Sequence, residues 1–168
     1  GTAFAQSRPL VTEDPETVGP GQILLEAGID RLGEAQYPAS GLKGNLWRLG
    51  TFGMSIGISS IAEVQLDGGL RNKLSVKERM TGPLSGMLTF SGDSTSDVED
   101  IVIGTKIRFL SETAGRPAVA VRFTTKLPNA GNESGLGLDT TDFGFGLAMS
   151  KTVQSIRVGT NLAFSILA

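Results

Sequence analysis

No cysteine and no histidine occur anywhere in the 168 residues. The first absence removes a disulfide framework and thiolate metal sites. The second removes the usual base of serine hydrolases and the commonest protein metal ligand. Aromatic residues are scarce, 6% in all, with a single tryptophan (Trp47) and a single tyrosine (Tyr37). No apolar run reaches the ~18 residues that a transmembrane helix requires. The net charge of −2 leaves no basic footprint for nucleic acid. What is abundant is glycine: 23 residues, about twice the average usage of ~7%. A chain of this length forms one domain. If it spans a membrane, it must do so with strands closed into a barrel.

Period-two alternation dominates the remainder. It is clearest from Asp97 to Pro128. There Ile101, Ile103, Thr105, Ile107 and Phe109 alternate with Asp100, Val102, Gly104, Lys106 and Arg108. After SETAGRP, Val119, Val121, Phe123, Thr125 and Leu127 alternate with Ala118, Ala120, Arg122, Thr124 and Lys126. Two such runs around a turn predict a hairpin. The same pattern predicts strands over residues 22–31, 44–59, 61–69, 142–150 and 156–166, making seven in all, with no helix. One face is bulky and apolar, and includes Phe52, Met54, Ile56, Ile103, Ile107, Phe109, Val121, Phe123, Phe145, Leu147, Val158 and Leu162. The other collects glycine, alanine, serine and charges. Residues 1–21 read as a signal-peptide remnant, with Ala3-Phe4-Ala5 before Gln6 as the cleavage pattern, followed by an extended tail rich in proline. Residues 22–168 read as the barrel strands of one domain.

The expected connections are residues 32–43, 59–60, 70–97, 111–116, 128–141 and 151–155. They alternate long and short, as extracellular loops and periplasmic turns do in outer-membrane barrels. A soluble barrel packs large apolar residues inside, whereas this inner face is small and charged. The expected fold class is therefore all-β: an antiparallel up-and-down meander of about seven strands forming an outer-membrane β-barrel or part of one. Trp47 falls at the start of its strand, where an interfacial girdle belongs. Arg48 falls on the lipid-side register, tolerable only near an interface, where a cation costs about 0–1 kcal/mol.

Several short motifs carry no chemistry. Gly53-Met54-Ser55-Ile56-Gly57 fits the hydrolase elbow G-x-S-x-G, but Ser55 sits inside an alternating strand and no histidine can take its proton. Ser40 to Lys43 fits S-x-x-K without the K-T-G that should follow. Asp93 to Asp97 begins like a calcium loop, yet Val98 stands at the glycine position and Gly104 at the bidentate glutamate position, so a solvated loop is expected. Asn132-Glu133-Ser134 is a glycosylation sequon without meaning in a bacterial outer membrane. Gly135-Leu136-Gly137 lacks the third glycine and the helix of a dinucleotide site.

Four segments do carry a resemblance: RPLVTEDPETVGPGQILLEAG (Arg8 to Gly28), DVEDIVIGTKIRFL, GRPAVAVRFTTKLP and DTTDFGFGLA. In order and spacing, from Arg8 to about Ser165, the chain resembles the outer-membrane transporters grouped under the meta-pathway of phenol degradation. The resemblance implies an outer-membrane barrel that passes small aromatic or hydrophobic compounds. The chain departs from the pattern in having seven strands and in ending Ile166-Leu167-Ala168 rather than on an aromatic residue. It is therefore expected to be the N-terminal part of a longer barrel.

The function expected is a channel or transporter for small solutes in the outer membrane, reached by a signal peptide. It is not an enzyme, and no catalytic, cofactor-binding or metal-binding residues are expected. Its partners would be outer-membrane lipid and a small-molecule solute, with no nucleic acid. The alternatives are a structural outer-membrane barrel without substrate and a soluble exported β-barrel holding an apolar ligand. Lumen-lining charges should be Glu26, Glu63 and Asp67, with Asp30, from the early strands, and Lys106, Arg108, Arg122, Lys126 and Arg157 from the later ones. Glu63 is expected at the height of Lys106 and Arg108, and Arg122 opposite Lys106. The cations should outnumber the acids they can reach, leaving a positive wall for anionic solutes.

Overall fold

The computed structural model describes residues 13–167. The A-x-A sequence at Ala3-Phe4-Ala5 lies outside them, as does Ala168. Eight strands follow in order: β1 (Ile23–Tyr37), β2 (Leu42–Gly57), β3 (Ala62–Arg79), β4 (Ser94–Asp97), β5 (Val102–Leu110), β6 (Ala118–Lys126), β7 (Asp142–Val153) and β8 (Ile156–Leu167). A single 3-10 turn, Ser85–Met87, interrupts them. They form one antiparallel sheet in the order β1-β2-β3-β5-β6-β7-β8, with β4 paired to β3 off this path. The fold is all-β, a meander curled into a half-barrel. β4 and β5 lie in sequence along the same edge of β3, against Asn72–Ser75 and Ala62–Asp67 respectively. They are one broken strand, which reconciles eight pieces with a seven-strand path. Among the described residues β1 and β8 each pair with one neighbour only, so the sheet is open.

The alternation builds continuous rows across the sheet. On the outer face one row runs Ile23, Ile56, Val64, Thr105, Phe123, Phe145, Phe164. The next runs Leu25, Met54, Leu66, Ile103, Thr125, Phe143, Ile166. Phe123 and Phe145 meet edge-to-face, 5.3 Å between centroids, the arrangement that ring quadrupoles favour. Most of these side chains are open to the surroundings: Ile23 61%, Phe123 52% and Phe164 68% exposed. Val121, also on this face, is buried in register between Ile107 and Leu147.

Two expectations about the first three strands fail. The first connection is not long: β1 and β2 run on to a turn at residues 38–41, closed by Gly41 N–H donating to Tyr37 C=O at 2.8 Å. Long and short connections therefore do not alternate without exception. β3 likewise continues through Arg79, and Ser94–Asp97 is strand β4 rather than solvated loop. The cause of both is a reversal of face. Gly50 adopts φ +66° and sits opposite no residue of β1, where the register slips between Gly28/Thr51 and Ile29/Leu49. Such a bulge inserts one residue and exchanges the two faces of its strand. Across from it, Leu70 and Arg71 are both exposed, and the buried positions of β3 change from Glu63, Gln65 and Gly69 to Asn72 and Leu74. Beyond that line apolar residues point inwards.

The second correction concerns Arg48. It does not face the lipid side. The bulge turns it inwards, where it is 9% exposed between strands.

The inward-facing apolar residues of the loop end make a small core of Ala35, Leu42, Leu46, Leu74 and Leu136, backed by Leu32, Tyr37, Val76, Leu88 and Phe90. Residues 80–93 and 127–141 fold over it. Ser40 Oγ donates to Gly135 C=O at 2.8 Å, Thr95 Oγ1 to Ser134 C=O at 2.8 Å, and Asp100 accepts from Asn129 and Ala130 N–H. These bonds satisfy loop backbone that would otherwise be buried unpaired.

Candidate functional site

Towards the turn end, the inner face carries the charged ladder. Glu63 pairs with Lys106 at 2.9 Å as its direct cross-strand neighbour, and is only 1% exposed. Lys106 stands opposite Arg122, two cations side by side on adjacent strands. Arg122 reaches past it to Asp67 at 2.8 Å. Lys126 is held by Asp142 at 2.8 Å and Asp100 at 3.2 Å. Arg108 and Arg157 lie further towards the turns.

The positive wall expected here does not form, because the described tail occupies the inner face. Residues 13–22 run over the ladder as a strap. Glu13 bridges Arg122 at 3.3 Å and Lys106 at 3.8 Å, Glu16 pairs with Arg108, and Asp14 pairs with Arg157 at 2.7 Å. Backbone contacts reinforce the charges. Lys106 Nζ donates to Asp14 C=O at 3.0 Å, and Val18 N–H donates to Glu63 at 2.6 Å. Pro15 is among the most buried residues of the chain. Five carboxylates, from Glu13, Asp14, Glu16, Glu63 and Asp67, thus answer four cations.

Gly57 explains how the strap can lie so close. Its N–H donates to Gln22 C=O at 2.9 Å and its C=O accepts from Gly21 N–H at 2.8 Å. A Cβ on residue 57 would stand 2.0 Å from Gly19 O, so no side chain fits. The last glycine of the discarded hydrolase motif therefore has a packing reason.

A second ionic layer separates the ladder from the loop-end core. Arg48 pairs with Asp30 at 3.2 Å and with Glu99 through two guanidinium nitrogens. Beside it a cavity of about 20 Å³ is lined by Tyr37, Arg48, Asn72, Glu99 and Asp100 among others. Burial, with the Glu99 charge adding to it, pushes the Tyr37 phenol up to about 12, so it stays protonated.

Of the residues expected in the lumen, the structure brings together Glu63, Asp67, Lys106, Arg108, Arg122 and Arg157 around the strap. Lys126 sits nearby in its own cluster with Asp100 and Asp142. Asp30 belongs to the Arg48 layer. Glu26 stands apart, exposed on β1. Glu13, Asp14, Glu16 and Glu99 were missed. The acids of the strap are visible as a cluster in TEDPET, but nothing local says what they face.

Among the described residues no group of acidic side chains is arranged to hold a metal ion. No helix there is long and apolar enough to cross a membrane, which says nothing of strands. No protein-family model, no curated protein and no solved structure matches the chain.

Proposed function

We propose that the chain is the wall of an outer-membrane β-barrel that acts as a channel or transporter for small solutes and catalyses no reaction. The observation that carries this reading is the inversion at the turn end. Rows of Ile, Val, Leu, Met and Phe, interrupted in each case by one threonine of β5 or β6 (Thr105, Thr125), face outwards, while ion pairs face inwards. In water, so wide an apolar face would be an interaction or aggregation site. In a bilayer it is the lipid-facing band, and the polar inner face lines the lumen. The 9-residue strands β5 and β6 and the 12-residue strands β7 and β8 suit a crossing of ~9–11 tilted residues. The two open edges must be paired in a membrane, since unpaired backbone groups in hydrocarbon cost several kcal/mol each. The resemblance to the phenol meta-pathway transporters supports small aromatic or hydrophobic solutes as cargo.

A second reading has its own observation. The strap fills the inner face of the ladder, which favours a barrel that holds the envelope and conducts nothing. Two measurements separate the possibilities. Cell fractionation should find the protein in the outer membrane and dependent on detergent. A protein recovered in the aqueous fraction without detergent ends the membrane reading. Planar bilayers should then show discrete conductance steps. A membrane-inserted protein that never conducts and admits no solute into liposomes supports the structural barrel instead.

A further inference from the structure

Three cations on the outer face have no carboxylate partner among the described residues: Arg31, Arg71 and Lys73. Their neighbours differ. Lys43 and Lys77 are tied to Glu34 and Glu78 at 2.7–3.0 Å, and Arg79 donates to Gly92 C=O at 2.7 Å. The free three are set in register. Arg31, Trp47 and Lys73 form one row across β1, β2 and β3, and Ile29, Leu49 and Arg71 form the next. Arg31 lies over the Trp47 ring, 5.3 Å from its centroid, and Arg71 donates to Ser96 Oγ at 3.0 Å.

Their height is the telling feature. They stand at the line where the bulge at Gly50 ends the apolar band. Immediately towards the turns lie Ile29, Leu49 and Leu70, the last 70% exposed. Towards the loops the outer face turns to Lys, Ser and Asn. Adjacent strands are ~4.8 Å apart, so Arg31 and Lys73, on either side of Trp47, lie about 10 Å from each other, and Arg71 lies about 7 Å from Lys73 along β3. Long, flexible side chains at that spacing can reach one multivalent anion together. A phosphate monoester offers three acceptor oxygens that match a guanidinium fork. Tryptophan beside Arg and Lys is the composition of a membrane interface, with the ring at headgroup level.

We propose that Arg31, Arg71 and Lys73 bind a phosphomonoester on the headgroup of an anionic membrane lipid, lipid A. Its acyl chains lie on Ile29, Leu49 and Leu70, and its sugar lies beside Trp47. The site rests on the membrane reading above, and it adds an orientation: the loop end faces the leaflet that carries lipid A. A basic residue near such a surface is worth about fivefold in affinity, so three give a preference of roughly a hundredfold.

The test uses the full chain in nonionic detergent, then in vesicles of phosphatidylcholine with and without lipid A. Native mass spectrometry reads the lipid retained. The expected result is lipid A retained about a hundredfold over phosphatidylcholine. In the R31Q/R71Q/K73Q variant the preference should vanish, and in a K43Q/K77Q control it should persist. Circular dichroism checks that both variants keep the sheet. Retention unchanged in the triple variant overturns the site, and so does displacement of the lipid by inorganic phosphate alone, which would mark a simple anion site. Insertion into both vesicle types without headgroup preference overturns the site and leaves the membrane reading intact. A chain that stays in water with both vesicle types overturns the two together.

Discussion

On the turn side of Gly50 the sheet carries its apolar side chains outwards and its charges inwards; on the loop side it does the reverse. The same strands β2 and β3 pass through both regions. Phe52, Met54 and Val64 face out, while Leu42, Leu46 and Leu74 face in. The loop end obeys the rule of soluble proteins: a small core covered by loops, with Lys43, Lys73 and Lys77 outside. The turn end does the opposite, with exposed apolar rows outside and ion pairs inside. One glycine at φ +66° exchanges the two. A strand need not present one kind of face along its whole length; a single bulge exchanges the two.

Arg48 sits at the seam, and its loss should have the largest effect. Arg48→Ala leaves the half-buried Asp30 and Glu99 facing each other without their cation. Breaking such a pair costs about 3–5 kcal/mol, to be read as a shift in urea unfolding in detergent micelles. A neutral result would mean that the two regions are not joined through this layer.

A lysine on the outer face should separate the regions next. Val64→Lys in a lipid bilayer is expected to cost about 2–4 kcal/mol if Val64 lies near mid-membrane. Ser75→Lys, on the same strand and face beyond the bulge, should stay within about 0.5 kcal/mol. Equal effects in reversible unfolding from phosphatidylcholine vesicles would show that lipid is not the cause of the inversion.

The strap gives a smaller and more local effect. Gly57→Leu places a side chain where Gly19 O lies 2.0 Å from a Cβ, and should unseat the strap while the strand pairs remain. Because the chain has no cysteine, an introduced Thr17→Cys reports on it. Labelling by a water-soluble maleimide should accelerate about tenfold, the factor that ~1.4 kcal/mol makes, and bilayer conductance should rise. Labelling that does not change would place the strap's anchorage elsewhere.

The smallest effect belongs to the turn between β5 and β6. Glu112 accepts from Thr152 N–H at 2.8 Å and lies 3.5 Å from Lys151. The backbone bond, then Lys151, holds its carboxyl below the ordinary glutamate value. A carboxylate depressed in the fold stabilises above the unfolded value of ~4.3 and loses that contribution as pH falls through the folded value. Wild type should therefore exceed Glu112→Gln slightly in thermal midpoint near neutral pH, and the two should converge below pH ~4. A gap that persists in acid would assign the difference to packing instead.

Much of the turn end was legible beforehand, because there each strand keeps an unbroken period-two alternation over residues 51–57, 62–69, 102–108, 118–126, 142–150 and 156–166. That alternation alone put Glu63 beside Lys106 and Arg122 opposite Lys106. The loop end was read as connections for a physical reason. After the bulge the phase reverses, so Leu70 and Arg71 break the alternation, and Asn72, Leu74 and Val76 look like a polar-rich loop. Arg48 was placed on the wrong face by the same one-residue error, since a slip of one turns every side chain over.

By itself, then, the sequence determined the strand count along the path, the antiparallel order and the two faces of the turn end. All three are set within a few residues by alternation and turn chemistry. Only the tertiary structure decided which acids beyond the neighbouring strands answer the cations. The carboxylates that quench the inner wall come from Glu13, Asp14 and Glu16, about 90 to 140 residues from the cations they meet. Which acid reaches which cation depends on how the sheet curls and where the strap is laid. That information belongs to no window of the chain, because ion pairing acts through space and leaves no period in the sequence.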